Sequence, residues 1–198
     1  MQFFYSHGFH SSKDSLAYQR ICEGLHLKPL QLVYDNGGDF RTNLQSCKEQ
    51  LMVYKPTMPF GFIGNSLGAF YLWQLMLYAD TLNVPLPCVF IFFNPVFEPL
   101  GQLKKYIDKP QINSTTQEHF TLCDKHWESY AFALRLPIPN TISNINGVVC
   151  LSESDELIDG STSQAYWQHY AKIVHLQGGH IITDFAPLYE NLYPFLHN

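Results

Sequence analysis

The stretch PFGFIGNSLGAFYLWQLML, residues 59–77, decides the fold. It opens with a short apolar run at 60–63, continues through GNSLG at 64–68, and ends in an apolar segment of helical length. A strand, a sharp turn with serine at its apex and a buried helix are the context in which Gly-x-Ser-x-Gly is a nucleophile elbow. The flanking glycines allow the strand and the helix to approach closely. The stretch therefore predicts a nucleophilic Ser66, although a serine in this position can also be a simple helix N-cap.

Length and composition indicate one globular domain. The chain has 198 residues, of which 46% are hydrophobic and 15% aromatic, enough for a full core. A net charge of -5 without a basic run argues against nucleic acid as a partner. The longest apolar run, 88–93, is too short for a membrane span, and the N-terminus MQFFYSHGFH does not resemble a secretory signal. Five cysteines without a CxxC pair favour free thiols in a reducing cytoplasmic location.

Strand-like and helix-like segments alternate along the chain. The strand patterns lie at 2–6, 30–34, 60–63, 88–93, 147–151 and 172–176, and the helical patterns at 13–25, 41–53, 67–78, 161–170 and from 183 or 184 to the end. Ser11 or Ser12 can cap the first of these helices. Such alternation predicts an α/β fold with a mostly parallel sheet of about six strands and helices on both faces. Within the single domain 1–198, the segment 97–140 shows helical patterns without a clear strand. It predicts a helical, cap-like insertion between the fourth and fifth strands.

Chemically useful residues follow four of the predicted strands, and three of them form a recognisable series. Ser66 follows the third strand, Asp155 the fifth and His180 the sixth, which is the chain order of Ser, Asp and His in α/β-hydrolases. The carboxyl ends of parallel strands border the ligand crevice of such a sheet. His180 would act as the base toward Ser66, and Asp155 would orient and stabilise the imidazole. Asp159 and Glu153 remain alternatives for the acid.

The first predicted strand ends at His7-Gly8-Phe9, which predicts half of an oxyanion hole. The backbone N–H of Phe9 and that of Leu67, directly after the nucleophile, would bind the oxygen of a tetrahedral intermediate. His7 is expected to brace this loop and not to transfer protons. His7 and Gly8, together with Asn94 at the end of the fourth strand, are also weaker candidates for substrate contact.

Aromatic residues of the insertion have two open interpretations. They line an apolar acyl site, or they pack the insertion against the sheet. The set is Tyr106, Phe120, Trp127, Tyr130 and Phe132. Trp127 and Tyr130 are the members that we expect to contact substrate.

Three residues of this segment could suggest a metal site. His119, Cys123 and His126 would lie on successive turns of a helix. No fourth ligand is spaced to complete a zinc tetrahedron, so a packed or solvated helix face is the better interpretation. We expect no metal and no organic cofactor.

The blocks quoted above resemble those of a known family. They are His7-Gly8-Phe9 with Ser11 and Ser12, GNSLGA at 64–69, Asn94-Pro95, Ser154-Asp155-Glu156 and Gly178-Gly179-His180. Their order and spacing are similar to the YqiA/YcfP-like family (UPF0227 type) of small bacterial α/β-hydrolases, which are expected to be esterases. The resemblance spans nearly the whole chain and implies the α/β-hydrolase fold in a bacterial cytosolic enzyme, with Ser66, Asp155 and His180 as the triad. Two departures are Ala69, where glycine is common, and the Ser-Glu-Ser that precedes Asp155.

These features predict a cytosolic serine esterase or thioesterase that cleaves a small-molecule acyl ester or thioester through an acyl-enzyme on Ser66. One alternative is a non-catalytic module of the same fold that binds a ligand or a protein. Another is amide hydrolysis or acyl transfer by the same three residues. The sequence does not indicate the physiological substrate, the acyl chain length or the oligomeric state.

Overall fold

The structure is a computed structural model that describes residues 1–133 and 142–188, apart from the side chain at 143. Its strands, in chain order, are β1 (Gln2–Ser6), β2 (Leu30–Leu32), β3 (Phe60–Asn65), β4 (Val89–Phe93), β5 (Pro110–Ile112), β6 (His119–Thr121), β7 (Asn146–Ser152) and β8 (Lys172–Leu176). Six of them form one parallel sheet in the order β2-β1-β3-β4-β7-β8. The strands β5 and β6 form a separate antiparallel pair. The predicted parallel α/β sheet is confirmed.

The helices alternate with the strands of the main sheet. They are α1 (Leu16–Leu25), α2 (Phe40–Tyr54), α3 (Leu67–Leu77), α4 (Ala79–Leu82), α5 (Pro99–Gln102), α6 (Asp124–Glu128) and α7 (Gly160–Trp167), with 3-10 turns at Lys104–Tyr106, Ser129–Phe132 and Ile142–Asn144. Each parallel strand is reached by a crossover, as parallel pairing requires. No helix in the described ranges is long and apolar enough to cross a membrane.

Two hydrophobic cores cover the two faces of the sheet. In β4, Phe90 and Phe92 point into the core shared with α2, α3 and α7, whereas Ile91 and Phe93 point into the core shared with α1. Successive side chains of a strand alternate between faces, so a strand covered on both sides must be apolar throughout. This explains the unbroken VFIFF run. All residues of α3 are buried as well, because this helix packs against the sheet on one side and against α2 on the other.

The start of α1 differs from the prediction. The helix begins at Leu16 and not at residue 13, and its N-cap is Ser15, whose side chain accepts a hydrogen bond from the Tyr18 N–H (3.3 Å). Ser11 and Ser12, the predicted caps, have other partners. The Ser11 hydroxyl donates to the Gly8 carbonyl (2.8 Å), and the Ser12 N–H donates to a threonine of the insertion. The predicted cap is therefore wrong.

The insertion also differs from the prediction, because it contains strands. The short helices α5 and α6 are present, but between them β5 and β6 form an antiparallel hairpin. Asn113 starts its turn by accepting hydrogen bonds from the N–H groups of Thr115 and Thr116. Residues 134–140 of the predicted insertion lie outside the described residues, as do residues 189–198 of the predicted last helix. Residues 186–188, where that helix would begin, are helical.

Replacing Gly68 by alanine tests the close approach of α3 to β1. A Cβ atom at Gly68 would overlap the backbone oxygens of Ser6 and His7, which cannot rotate away as a side chain does. We expect Gly68→Ala to lower the free energy of unfolding by roughly 3 kcal/mol, measured by urea denaturation. The control is Gly160→Ala at the start of α7, where a Cβ meets nothing within 4 Å. Equal stability of the two variants would show that the approach is loose.

Candidate active site

Ser66 occupies a sharp turn between β3 and α3. Its backbone has φ 51° and ψ -120°, a conformation that non-glycine residues rarely adopt and that costs free energy. The Ser66 N–H donates to the Phe93 carbonyl (2.9 Å), and its own carbonyl accepts from the Val96 N–H (3.1 Å). A Cβ at Gly64 would overlap α3, and one at Gly68 would overlap the end of β1. The predicted elbow geometry is therefore present at Ser66.

His180 lies against a carboxylate in the loop after β7. Its Nδ1–H donates to Asp155, with 2.9 Å to Oδ2 and 3.1 Å to Oδ1. The other two candidate acids have different partners. Asp159 caps the N-terminus of α7, and Glu153 accepts a hydrogen bond from the Gln177 amide (2.7 Å). Of the three acids that the sequence left open, the structure brings Asp155 to His180.

The surroundings of Asp155 keep it ionised. Burial acts to raise its pKa, but the hydrogen bond and the charge of His180 act in the opposite direction. The N–H groups of Leu157 and Ile158 also donate to Oδ1 (2.8 and 3.0 Å). The net result is a pKa below the ordinary value of 3.8. An ionised carboxylate accepts from Nδ1–H and leaves Nε2 as the nitrogen that can exchange a proton with another group.

Three side chains brace the loop that carries His180. Asn94 is 1% exposed, and its amide donates to the His180 carbonyl (2.9 Å) and accepts from the Ser152 N–H (2.8 Å). Glu156 accepts a hydrogen bond from the His180 N–H (3.0 Å), and the Ser152 hydroxyl donates to the Gly178 carbonyl. Asn94 therefore faces backbone at the ends of β4 and β7 and does not line the cavity, which corrects its expected contact with substrate.

Ser66 and His180 line the same cavity, which encloses about 410 Å³ of empty space, part of it open to solvent. The other lining residues are Phe9, His10, Val96, Gln102, Leu103, Lys105, Tyr106, Leu157 and Ile158. Within the described ranges, no hydrogen bond joins the Ser66 hydroxyl to His180. Catalytic hydrogen bonds are often long without substrate and shorten when it binds. The cavity is thus the place where a substrate can reach both groups.

The loop after β1 lies directly beside the elbow. Gly8 packs so closely that a Cβ there would be 3.2 Å from that of Ser66, and its carbonyl accepts from the Ser11 hydroxyl. Phe9 lines the cavity. Leu67 is the first residue of α3, so its N–H has no acceptor within the helix. This arrangement is compatible with the predicted oxyanion hole at Phe9 and Leu67, which stays a prediction.

His7 braces this loop from inside the protein. Its ring is buried and stacks on Tyr34, with ring centroids 4.3 Å apart, and its Nδ1–H donates to the Gly8 carbonyl (2.9 Å). The Tyr34 hydroxyl donates to the His7 carbonyl (3.0 Å). Burial lowers the pKa of His7 to about 4, so the ring is neutral at neutral pH. These contacts fit a bracing role and place neither His7 nor Gly8 on the cavity wall.

The β5–β6 hairpin of the insertion forms hydrogen bonds with the loop after β1. The His10 carbonyl accepts from both the N–H and the hydroxyl of Ser114 (2.7 and 2.8 Å), and the His10 Nε2–H donates to the Gln111 amide oxygen (2.8 Å). The Asn113 amide donates to the Ser11 carbonyl (3.2 Å). The insertion therefore helps to position the loop that carries Phe9. No sequence signal pointed to these residues, because strands β5 and β6 were not predicted.

Tyr106 is the member of the predicted aromatic set that lines the cavity. Phe120 packs edge-on against Phe9, with ring centroids 5.4 Å apart. Phe132 is 54% exposed and lies under the Arg41 guanidinium (3.9 Å to the ring centroid). Besides Phe9 and Tyr106, the apolar lining consists of four aliphatic residues that were not predicted to contact substrate: Val96, Leu103, Leu157 and Ile158.

Trp127 and Tyr130 belong to the packing of the insertion. The Trp127 Nε1–H donates to the Leu100 carbonyl (3.0 Å). Tyr130 is buried, and its hydroxyl shares a hydrogen bond with that of Tyr71 (2.7 Å) on α3. Their polar groups are thus used inside the protein, which corrects the expectation that they contact substrate.

The three residues considered for zinc lie on different elements. His119 belongs to β6, Cys123 is the N-cap of α6, and only His126 lies within that helix, where its Nδ1–H donates to the Gly37 carbonyl (2.6 Å). The expected spacing over successive helical turns is therefore wrong. Among residues 1–133 and 142–188, no group of three or more His, Cys, Asp or Glu is placed to hold a metal ion.

The sheet, the elbow and the position of the insertion define an α/β-hydrolase fold, and solved structures share it. Est1E from Butyrivibrio proteoclasticus has a TM-score of 0.65 at 12% identity, covering 98% of this chain and 86% of its own. Carboxyl esterase 2 from the fungus Tuber melanosporum has a TM-score of 0.60 at 14% identity, and the match covers 95% of this chain and 71% of the esterase. The RedJ thioesterase of the prodiginine pathway in Streptomyces coelicolor has a TM-score of 0.62 at 11% identity, and the match covers 91% of this chain and 82% of the thioesterase. At such low identities, the likeness shows the fold alone.

The chain belongs to the uncharacterised protein family UPF0227, whose model matches residues 2–197. This match confirms the family resemblance drawn from the sequence blocks. No curated protein matches the sequence.

The buried His7 predicts a loss of stability in mild acid. Its folded-state pKa of about 4 lies below the ordinary 6.5, so the unfolded chain takes up the proton first as the pH falls. The free energy of unfolding is unaffected by the titration of His7 above pH 6.5. It falls progressively toward pH 4, by up to roughly 3 kcal/mol, because protons bind the unfolded chain more tightly. Urea denaturation across this range measures the slope. His7→Asn keeps an N–H that can donate to Gly8 but does not titrate, so it should show a shallower slope; an unchanged slope would contradict the assignment.

Proposed function

We propose that this protein is a serine hydrolase that cleaves a carboxylic ester or thioester through an acyl-enzyme on Ser66. The observation that carries the proposal is the single cavity onto which a strained Ser66 and an Asp155-bound His180 both open. The elbow presents the hydroxyl at the carboxyl end of β3, and the imidazole has its Nδ1 occupied. The esterases and the thioesterase among the structural neighbours support this class of reaction.

In the first half of the reaction, the Ser66 hydroxyl attacks the carbonyl carbon of the substrate while His180 Nε2 accepts its proton. Asp155 stabilises the imidazolium that forms. The N–H groups of Leu67 and Phe9 bind the oxygen that gains negative charge, and losing one such donor typically costs about 3 to 4 kcal/mol of transition-state stabilisation. The intermediate then collapses, and the alcohol or thiol departs with the proton from Nε2.

In the second half, water replaces the departed group. His180 accepts a proton from the water as its oxygen attacks the acyl carbon, and returns that proton to the Ser66 oxygen when the acid leaves. The steps use only this chain and water. We place the reaction in the cytoplasm, because the five cysteines are all free thiols, as expected in a reducing compartment.

A fluorophosphonate probe tests the activation of Ser66 without knowledge of the acyl group. We expect one adduct per native chain by intact-mass measurement and none on Ser66→Ala, because phosphonylation requires an activated hydroxyl. A well-folded native chain without an adduct would contradict the proposal and favour the non-catalytic binding module of the same fold.

Replacing each carboxylate by its amide tests whether Asp155 or Asp159 is the acid that orients His180. Asp155→Asn removes the charge that orients His180, so kcat for a nitrophenyl ester should fall by about 10³- to 10⁴-fold with little change in KM. The matched control is Asp159→Asn, because asparagine can still cap α7 and the Asp159 carboxylate accepts from Ser161 and Thr162 and not from His180. Comparable losses in the two variants would rule out Asp155 as the specific acid.

A further inference from the structure

The wall of the catalytic cavity is positively charged. Of the described residues that line it, Lys105 alone carries a permanent charge, and none is a carboxylate. Lys105 also forms no ion pair with any described residue. Its ammonium lies 5.1 Å from the centroid of the Tyr106 ring, and Tyr106 is itself part of the wall. Lys105 is solvent-exposed, so its charge is available to a ligand.

The acidic side chains close to Lys105 in sequence do not line the cavity: Glu98 accepts a hydrogen bond from the Gly101 N–H, and Asp108 accepts one from the Asp124 N–H (3.2 Å). Burial lowers the pKa of His10, the hydrogen bond that its ring donates to Gln111 acts in the opposite direction, and the charge of Lys105 lowers the pKa further, so His10 is neutral at neutral pH. Lys104 and Lys109 are close in sequence, and Lys109 Nζ donates to the Lys105 carbonyl (2.7 Å). Asp155 is bound to the Nδ1 side of His180 and does not line the cavity.

Gln102 adds neutral donors to the same wall. Its amide oxygen accepts from the backbone N–H groups of Phe97 (3.1 Å) and Glu98 (2.9 Å). These two bonds determine which end of the amide is oxygen and which is nitrogen. The Nε2 group, with two N–H donors, has no acceptor among the described residues. An ammonium group and an amide N–H on one wall match a carboxylate, since charge-assisted hydrogen bonds are the stronger kind.

We infer that Lys105 and Gln102 bind a carboxylate of the substrate, and that the protein acts on esters that bear an anionic group. This inference rests on the serine-hydrolase function proposed above. The carboxylate belongs either to the acyl part or to the alcohol part, and the two arms of the experiment below separate these cases.

Binding to the Ser66→Ala chain tests the inference independently of catalysis. Monomethyl succinate carries a carboxylate on the acyl part and butyryloxyacetate carries one on the alcohol part; methyl butyrate and ethyl butyrate are their neutral counterparts. We expect calorimetry to show about 10-fold tighter binding of at least one anionic ester than of its counterpart, which is about 1.4 kcal/mol. Equal affinity for the anionic and neutral esters would overturn the inference.

Three variants then locate the binding group. In Lys105→Met, the ratio of kcat/KM for the anionic ester to that for the neutral ester should fall about 10-fold. Gln102→Glu keeps the oxygen that accepts from Phe97 and Glu98 but replaces the donors with a repelling oxygen, so the ratio should fall at least as far. Lys104→Met, on the same 3-10 turn but outside the cavity wall, should keep the native ratio. A native ratio in Lys105→Met would overturn the assignment.

Fluorophosphonate labelling of each variant tests the serine-hydrolase function separately from the carboxylate site. Labelled Ser66 together with a preference for neutral esters would overturn the carboxylate site and leave the hydrolase function intact. An unlabelled native chain that still binds the anionic ester more tightly would support the carboxylate site and contradict the hydrolase function.

Discussion

The close approach of three backbone segments around Ser66 is the constraint on which the rest of the structure depends. The end of β1, the end of β3 and the start of α3 meet with no room for a Cβ at Gly64 or Gly68. Two buried cores hold these segments together, and a strained serine conformation can persist because its surroundings leave no alternative. The apolar character of β3, β4 and α3 is thus a requirement of the elbow as well as of the core.

Hydrogen bonds to the loops after β1 and β8 hold the second half of the site, together with the stacking of His7 on Tyr34. The loop with His180 is held at its backbone by Asn94 and Glu156 and at its imidazole by Asp155. The loop after β1 is held by buried His7 and by the hairpin of the insertion. His7 adjoins the loop that it braces, whereas the other braces come from remote parts of the chain, so the base and the predicted oxyanion donors depend on tertiary contacts. The insertion is therefore part of the scaffold of the site and also one of its walls.

Local patterns in the sequence predicted the sheet and the elbow, because alternation of apolar runs and the Gly-x-Ser-x-Gly spacing are local properties. The sequence favours Asp155 as the acid and leaves Asp159 open, since the final choice depends on which carboxylate His180 reaches in the folded chain. The β5–β6 hairpin was missed because its short strands, PQI and HFT, have little apolar alternation and are stabilised by partners in the β1 loop. The roles of Asn94 and Lys105 likewise depend on tertiary contacts that no spacing indicates.

The crystal structure of the fluorophosphonate-treated protein tests the central claim most directly. The account predicts phosphorus bonded to Ser66 Oγ, with the phosphoryl oxygen within hydrogen-bond distance of the N–H groups of Leu67 and Phe9, and His180 Nε2 facing the serine oxygen. The His180 Nδ1–H should still donate its hydrogen bond to the Asp155 carboxylate. An adduct whose phosphoryl oxygen points away from both N–H groups, or a His180 that stays out of reach of the modified serine, would contradict it.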